Sequence, residues 1–201
     1  MTTPRLVKNI LVGVGSLYVS APLNTSTFVP DDGSGYATPE TNWTNAGFTM
    51  DGLEVVFEPD HVDIMVDQLG DAAKLVEQST KVTIKTTLAE ATLANLAIAW
   101  GYDETSTSTL SGKYTSGTDE IFNIGIFATG IPLERSLFFV GKGPGGVRRT
   151  YMTWRVIAVS SSGHSYKRGE ATVFPVEFRV MPQSTRTGNE YGVITDTAVN
   201  A

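Results

Sequence analysis

The first segment that could do chemistry is Gly141-Lys-Gly-Pro-Gly-Gly146, which has the G-x-G-x-x-G spacing of a dinucleotide-binding turn. That turn works only where a helix begins, because the helix N-terminus holds the pyrophosphate. Here Val147-Arg-Arg-Thr-Tyr-Met-Thr-Trp154 follows, a strand-like run. The glycines and Pro144 therefore predict a hairpin connection with a basic tip of Lys142, Arg148 and Arg149. Of the two histidines, His61 with Asp63 offers two metal ligands and no third at a recognisable spacing. Ser162-Gly-His164 lacks the G-x-S-x-G frame of a hydrolase nucleophile and reads as a turn. Glu54, Glu58, Asp60, Asp63 and Asp67 are dense, but they lack the spacing of a calcium loop and read as a solvated strand face. Asn24-Thr-Ser26 and Asn42-Trp-Thr44 are glycosylation sequons by pattern, with meaning only in a secreted protein. The absence of cysteine removes disulfides, thiolate metal sites and thiol nucleophiles, and fits synthesis in a reducing cytoplasm. No constellation for catalysis, a metal or a cofactor emerges, and the expectation is a protein that is not an enzyme.

The elements that must position these residues are mostly strands. The 201 residues, 41% hydrophobic and 18% charged, suffice for one well-cored domain spanning 1–201. Ile10, Val12 and Val14 recur at every second position, which predicts a first strand over about 8–20 and argues against a signal peptide. No apolar run approaches the roughly 20 residues of a membrane span, so no membrane insertion is expected. Residues 21–47 are rich in Pro, Gly, Thr, Ser and Asn and read as a long loop. Strands follow at Leu53–Glu58, with Pro59-Asp60 as the break, then at 61–67, where Val62, Ile64 and Val66 are expected to pack inward, and at Thr80–Thr87. Thr87-Leu-Ala-Glu90 has capping-box spacing, and Leu93, Leu96, Ala97 and Trp100 form one apolar stripe before Gly101, predicting a packed helix over about 88–100. A second loop is expected at 102–119. Further strands are expected at 120–128, 136–140, 150–159 and 172–181, with Pro175 marking an edge or bulge, and then an extended C-terminal segment at 182–201. The predicted fold is mainly β: a two-sheet sandwich or partial barrel with one packed helix and long loops.

Two blocks carry a resemblance. Residues 52–68 (Gly-Leu-Glu-Val-Val-Phe-Glu-Pro-Asp-His-Val-Asp-Ile-Met-Val-Asp-Gln) lead to residues 80–96 (Thr-Lys-Val-Thr-Ile-Lys-Thr-Thr-Leu-Ala-Glu-Ala-Thr-Leu-Ala-Asn-Leu). Residues 168–180 (Arg-Gly-Glu-Ala-Thr-Val-Phe-Pro-Val-Glu-Phe-Arg-Val) are followed by Gly192-Val-Ile-Thr-Asp196. Together they cover about half of the chain and resemble the major tail tube proteins of long-tailed, siphovirus-type bacteriophages. Residues 21–47 and 102–119 match nothing in that pattern, and there is no room for the extra immunoglobulin-like domain that some members carry.

The resemblance implies a virion structural protein, made in the host cytoplasm, whose subunits form hexameric rings stacked into a tail tube. Its implied partners are copies of itself, the tape-measure protein, and the tail tip and tail terminator proteins, and DNA passes through without specific binding. A net charge of −6 suits such a conduit, because a basic lining would retain phosphate. Asp63 and Asp67, with Glu54 and Glu58, are candidates for facing the lumen. The alternative pairs these acids across strands or subunits with Lys81, Lys85, Arg148 or Arg149. Those bases, with Lys142, are the candidate inter-subunit contacts. Rival readings are the tube subunit of a contractile tail or of a secretion-type tube. A reading from another class is a secreted carbohydrate-binding β-sandwich that stacks sugars on Trp43, Trp100 and Trp154.

Overall fold

The computed structural model describes residues 15–22, 43–65, 71–103, 112–125, 133–159 and 163–197. The Ile10–Val14 alternation, Val66, Asp67 and most of the two long loops lie outside them. Among the described residues nine strands and one helix follow in order: β1 Ser16–Ser20, β2 Thr44–Met65, β3 Ala72–Leu88, α1 Leu93–Trp100, β4 Gly112–Ser116, β5 Asp119–Asn123, β6 Arg135–Lys142, β7 Arg148–Ala158, β8 Phe174–Val180 and β9 Gly192–Thr197. The fold is mainly β with one short helix, as its residue patterns predict.

All pairings are antiparallel, in the order β6-β1-β2-β3-β8-β7-β9, and an additional β6–β7 pairing closes six of these strands on themselves. The branch point is β7. One of its edges runs along β6, while the other is shared in sequence by two strands. Val156, Ile157 and Ala158 pair with β8, and Arg148 to Thr153 pair with β9. The interior holds Leu17, Val19, Ile84, Leu88, Leu137, Val156, Phe174, Val176, Phe178 and Val180, all nearly or fully buried. These come from alternate positions of their strands, which is what a one-faced core requires. A second, smaller cluster of Tyr18, Trp43, Phe138 and Val140, with Met152 against it, covers the opposite face of β1, β6 and β7.

Several predicted boundaries are corrected. The strand predicted to break at Pro59-Asp60 continues as β2 to Met65, and its start at Thr44 lies inside the predicted 21–47 loop. Proline lacks a ladder donor but is tolerated where a strand edge is free. Among the described residues the outer edge of β2 has no neighbour here, since β1 pairs only as far as Phe48. Pro175 stands opposite Thr87 on β3, beyond the reach of β7, so the edge expected there is a local one. Part of the predicted 102–119 loop is the β4–β5 hairpin, and β9 lies in the predicted C-terminal extension.

The helix is shorter than predicted. Thr87 and Leu88 belong to β3, paired with Met50 and Thr49, so Thr87 cannot cap a helix. The cap is Thr92, whose hydroxyl accepts from the Asn95 N–H at 3.1 Å. Glu90 instead accepts from the Phe48 N–H at 3.1 Å, across a close approach in which Gly47 adopts φ +79°. Gly101 closes the helix in the left-handed region, and the Tyr102 N–H donates to the Ala97 carbonyl. Asn95 through Ala99 are buried consecutively, so the helix is enclosed on more than the predicted stripe, between β8 and the β4–β5 hairpin. Asn95, 3% exposed, ties it to the barrel by donating from its amide to the Ala46 and Glu90 carbonyls, each at 2.9 Å.

Two substitutions test this anchoring. Asn95→Ala leaves a buried acceptor unmet and should cost about 1–3 kcal/mol. Ile98→Ala, at a fully buried position, should cost about 2–5 kcal/mol. Urea denaturation followed by far-ultraviolet circular dichroism measures both, and unchanged midpoints would contradict the packing described.

Candidate assembly surface

Strands β2 and β3 span 22 and 17 residues, whereas β1 and β8, their outer neighbours, span 5 and 7. Among the described residues, the two long strands therefore pair only with each other beyond Phe57 and Val82, and they form an arm. Its register runs from Glu58 opposite Lys81 to Met65 opposite Ala72. It is interrupted between Asp60 and His61 and between Ile64 and Met65, where Gln78 and Ala73 are extra residues on β3.

Both faces of the arm carry exposed apolar side chains. Val62 pairs with Val76, and Ile64 lies two residues on, so these three share one face. Leu75, opposite Asp63, and Met65 lie on the other. Met65 and Leu75 are 62% and 60% exposed, and Val62 and Ile64 are 45% exposed each. The expectation that Val62 and Ile64 pack inward is thus overturned. The alternation along β2 also places Asp63, not Val62, on the pleat face shared with Val55 and Phe57.

A cavity of about 220 Å³, a slot between two walls, opens at the base of the arm. One wall is Val55, Phe57, Val82 and Ile84 from β2 and β3, and the other is Tyr151 to Thr153 with Tyr191 to Ile194 from β7 and β9. It exists because β7 gives up β8 for β9 at this level, so the two halves of the barrel diverge. The Tyr191 hydroxyl donates to the Thr80 carbonyl at 3.2 Å and bridges the walls. Phe57 and Ile194 stay more than half exposed at the rim.

The charged candidates are largely matched within the chain. Glu54 faces Lys85 and Glu58 faces Lys81 across β2 and β3, the latter pair at 3.5 Å. Exposed pairs of this kind contribute about 0–1 kcal/mol. Arg149 holds Asp196 through two bonds of 2.6 Å, and this drives the Asp196 carboxyl below its ordinary value and the guanidinium above its own. Lys142 and Arg148 are cross-strand neighbours flanking the Pro144–Gly146 turn, where a strand and not a helix follows the glycines. His61 stands opposite Glu77 in the arm. His164 packs against Trp100, Tyr166 and Phe174, with ring centroids 5.1–6.1 Å apart. A cleft of about 280 Å³ beside Asp51, Glu54, Lys85 and Glu177 carries mixed charge. Among the described residues no group of three or more His, Cys, Asp or Glu gathers to hold a metal ion, and no helix is long and apolar enough to cross a membrane.

The proposed sugar platforms are not open ring faces. Trp43 and Trp154 are buried, the Trp154 ring lies under the Arg186 guanidinium at 3.6 Å, and its indole N–H donates to the Asn189 carbonyl. Trp100 is half-buried against Phe122. The sequence reading missed the arm's exposure, the slot, and the polar ties Asn95, Arg186 and Glu134–Arg155. Only the unbroken apolar run Val55-Val-Phe57 hinted at the slot. No protein-family model matches this sequence, and a search of curated proteins finds no match.

Arg155 sits at a bulge in β7 and donates to both Glu134 oxygens, at 2.9 and 2.7 Å. Those bonds hold the Glu134 carboxyl below its ordinary value of 4.5. A carboxyl lowered in the folded state adds stability above its unfolded value and loses it as pH falls through the folded one. Glu134→Gln should therefore lower the urea midpoint at pH 7, and the gap from wild type should close as pH falls well below 4.5. A gap that persists at pH 2–3 would show that the pair is not the cause.

Proposed function

We propose that this chain is a self-assembling structural subunit, the tube-forming protein of a long phage tail, and not an enzyme. The observation that carries the reading is the arm. A two-stranded ribbon with apolar side chains on both faces is stable in water only when another surface covers it. Further support comes from where the resembling blocks fall: the first holds the β2 side of the arm, the end of β3 and the start of α1, and the second makes β8 and β9. The net charge of −6 suits a passage for DNA.

In this reading copies of the chain form rings that stack into a tube, with the tape-measure, tip and terminator proteins as partners. Of the two placements for the acids, the arm favours a contact role for Asp63, because an arm covered on both faces has no side left for a wet bore. Glu54 and Glu58, each matched by a lysine, remain as lumen candidates in a ladder close to neutral. Asp67 lies outside the described residues.

Negative-stain microscopy and sedimentation of the concentrated protein, alone and with tail-tip partners, test the reading. Rings or tubes are expected, and a protein that stays monomeric throughout would refute it. Leu75→Asp with Val62→Asp should abolish assembly while changing monomer stability by no more than about 0.5 kcal/mol, as solvated surface changes do. Asp63→Lys should also prevent tubes from forming. Normal tubes with slow, salt-dependent DNA release would instead return Asp63 to the lumen.

A further inference from the structure

Asp-Gly is the dipeptide in which an aspartyl carboxyl reacts most readily with its own backbone, because glycine places no side chain beside the attacking nitrogen. The sequence contains two such pairs, Asp32-Gly33 and Asp51-Gly52. The first lies outside the described residues, and the second falls where β2 departs from its ladder. Met50 stands opposite Thr87 and Leu53 opposite Thr86, so Asp51 and Gly52 are extra residues on β2 with no partner on β3. On the other edge, β1 pairs with β2 only as far as Phe48. Asp51 has a φ of +65° and is the one non-glycine residue at positive φ among the described residues. Gly52 follows at +73°, and the space where a side chain would stand is open, with nothing within 4 Å. Asp51 is exposed, and no hydrogen bond or ion pair to another described residue holds its carboxylate. Both residues border the charged cleft of about 280 Å³, through which water reaches them.

The geometry points to Asp51 as a site of spontaneous succinimide formation in the folded protein, with isoaspartate and D-aspartate as the products. The Gly52 nitrogen gives up its proton and attacks Cγ of Asp51. A bond forms between that nitrogen and Cγ, and a carboxyl oxygen leaves as water. Water then adds back to open the ring. Opening at Cγ restores aspartate, whereas opening at the main-chain carbonyl leaves isoaspartate, with the chain running through Cβ and Cγ. No oxidant and no partner is needed, and the mass of the protein returns to its starting value. While the ring is closed, loss of the Cα proton and its return on the opposite side inverts the residue. Positive φ is costly for an L residue and natural for its mirror image, so the bulge that strains L-Asp51 favours the D form. The change is not silent. Isoaspartate adds a methylene to the main chain of β2 just ahead of the Gly52 carbonyl, which accepts from the Thr86 hydroxyl at 2.7 Å. That bond ties the bulge to β3, and the longer backbone displaces it.

Wild type is held at neutral pH for several weeks, folded and, in parallel, unfolded in guanidinium chloride. A protease that cuts before L-aspartate, and not before isoaspartate or D-aspartate, reports position 51 by loss of the cut after Met50. Separation of the resulting peptides and chiral amino-acid analysis distinguish the two products, and the same map scores Asp32 apart from Asp51. Conversion at Asp51 is expected in the folded protein within about ten-fold of the rate in the unfolded chain, since an unpaired bulge needs no more than local opening. A reaction that waited for global unfolding would be slowed about a thousand-fold or more. Among converted chains, the ratio of D to L at position 51 should be higher in the folded protein. Asp51→Gly suits the positive φ and should abolish the signal at this position. Asp51→Asn closes the same ring by expelling ammonia and should raise it. Slowing beyond about ten-fold in the folded protein would overturn the site, because the bulge would then protect the pair as a ladder does. A ratio of D to L no higher than in the unfolded chain would overturn the role given to the positive φ.

Discussion

The shape of this molecule depends on a mismatch in strand length. Among the described residues β2 and β3 run for 22 and 17 residues and the strands that flank them, β1 and β8, for 5 and 7, and a sheet cannot remain a sheet where its neighbours end. The excess must leave the barrel as a two-stranded ribbon. Such a ribbon has two faces, two edges and no core of its own, and few arrangements stabilise it in water. The bulges at Gln78 and Ala73 add twist to it, and the opening between β3 and β7 appears at the level where the flanking pairing stops. Arm and slot are thus two consequences of one cause.

The barrel from which the arm extends is conventional by comparison. Its interior comes from alternate positions on six strands, and several of its buried polar groups are tied down. Ser136 donates to the Trp154 carbonyl at 2.8 Å, and Arg135, buried, donates to the Tyr102 carbonyl. Leaving such groups unmet inside a core would cost about 1–3 kcal/mol each. The stretch 181–191 is secured similarly, through Arg186 over Trp154, the Gln183 N–H to the Glu190 carbonyl, and Tyr191 to Thr80. It delivers β9 to the edge of β7 that β8 vacates.

Much of the fold was legible in the sequence, for a physical reason. Period-two alternation is strong wherever one face is buried, so β3, β7 and β8 announced themselves. The arm was misread because the same alternation persists there without a core beneath it. Val62 and Ile64 look like inward residues, yet among the described residues no element lies under them. Pro59 looked like a break because proline is costly in a central strand, and sequence does not show which edge is free. The helix start was displaced because Thr87 and Glu90 have the right spacing, while both serve the sheet instead. The slot was illegible, since it depends on which strand β7 chooses as its partner at each level.

Strand order also has a consequence for the making of the protein. The arm is a local hairpin and can form as soon as residue 88 has left the ribosome. The barrel cannot close that early, because β1 lies between β2 and β6, and Ser16 must wait for Val140, about 120 residues later. At translation rates of about 5–20 residues per second, that wait is roughly 6–25 s. For the later part of it, once Leu88 has emerged, the arm can exist while β7 and β9 are still unmade. The ribbon, with its apolar faces open, therefore stands outside any closed barrel for as long as the later strands take to arrive.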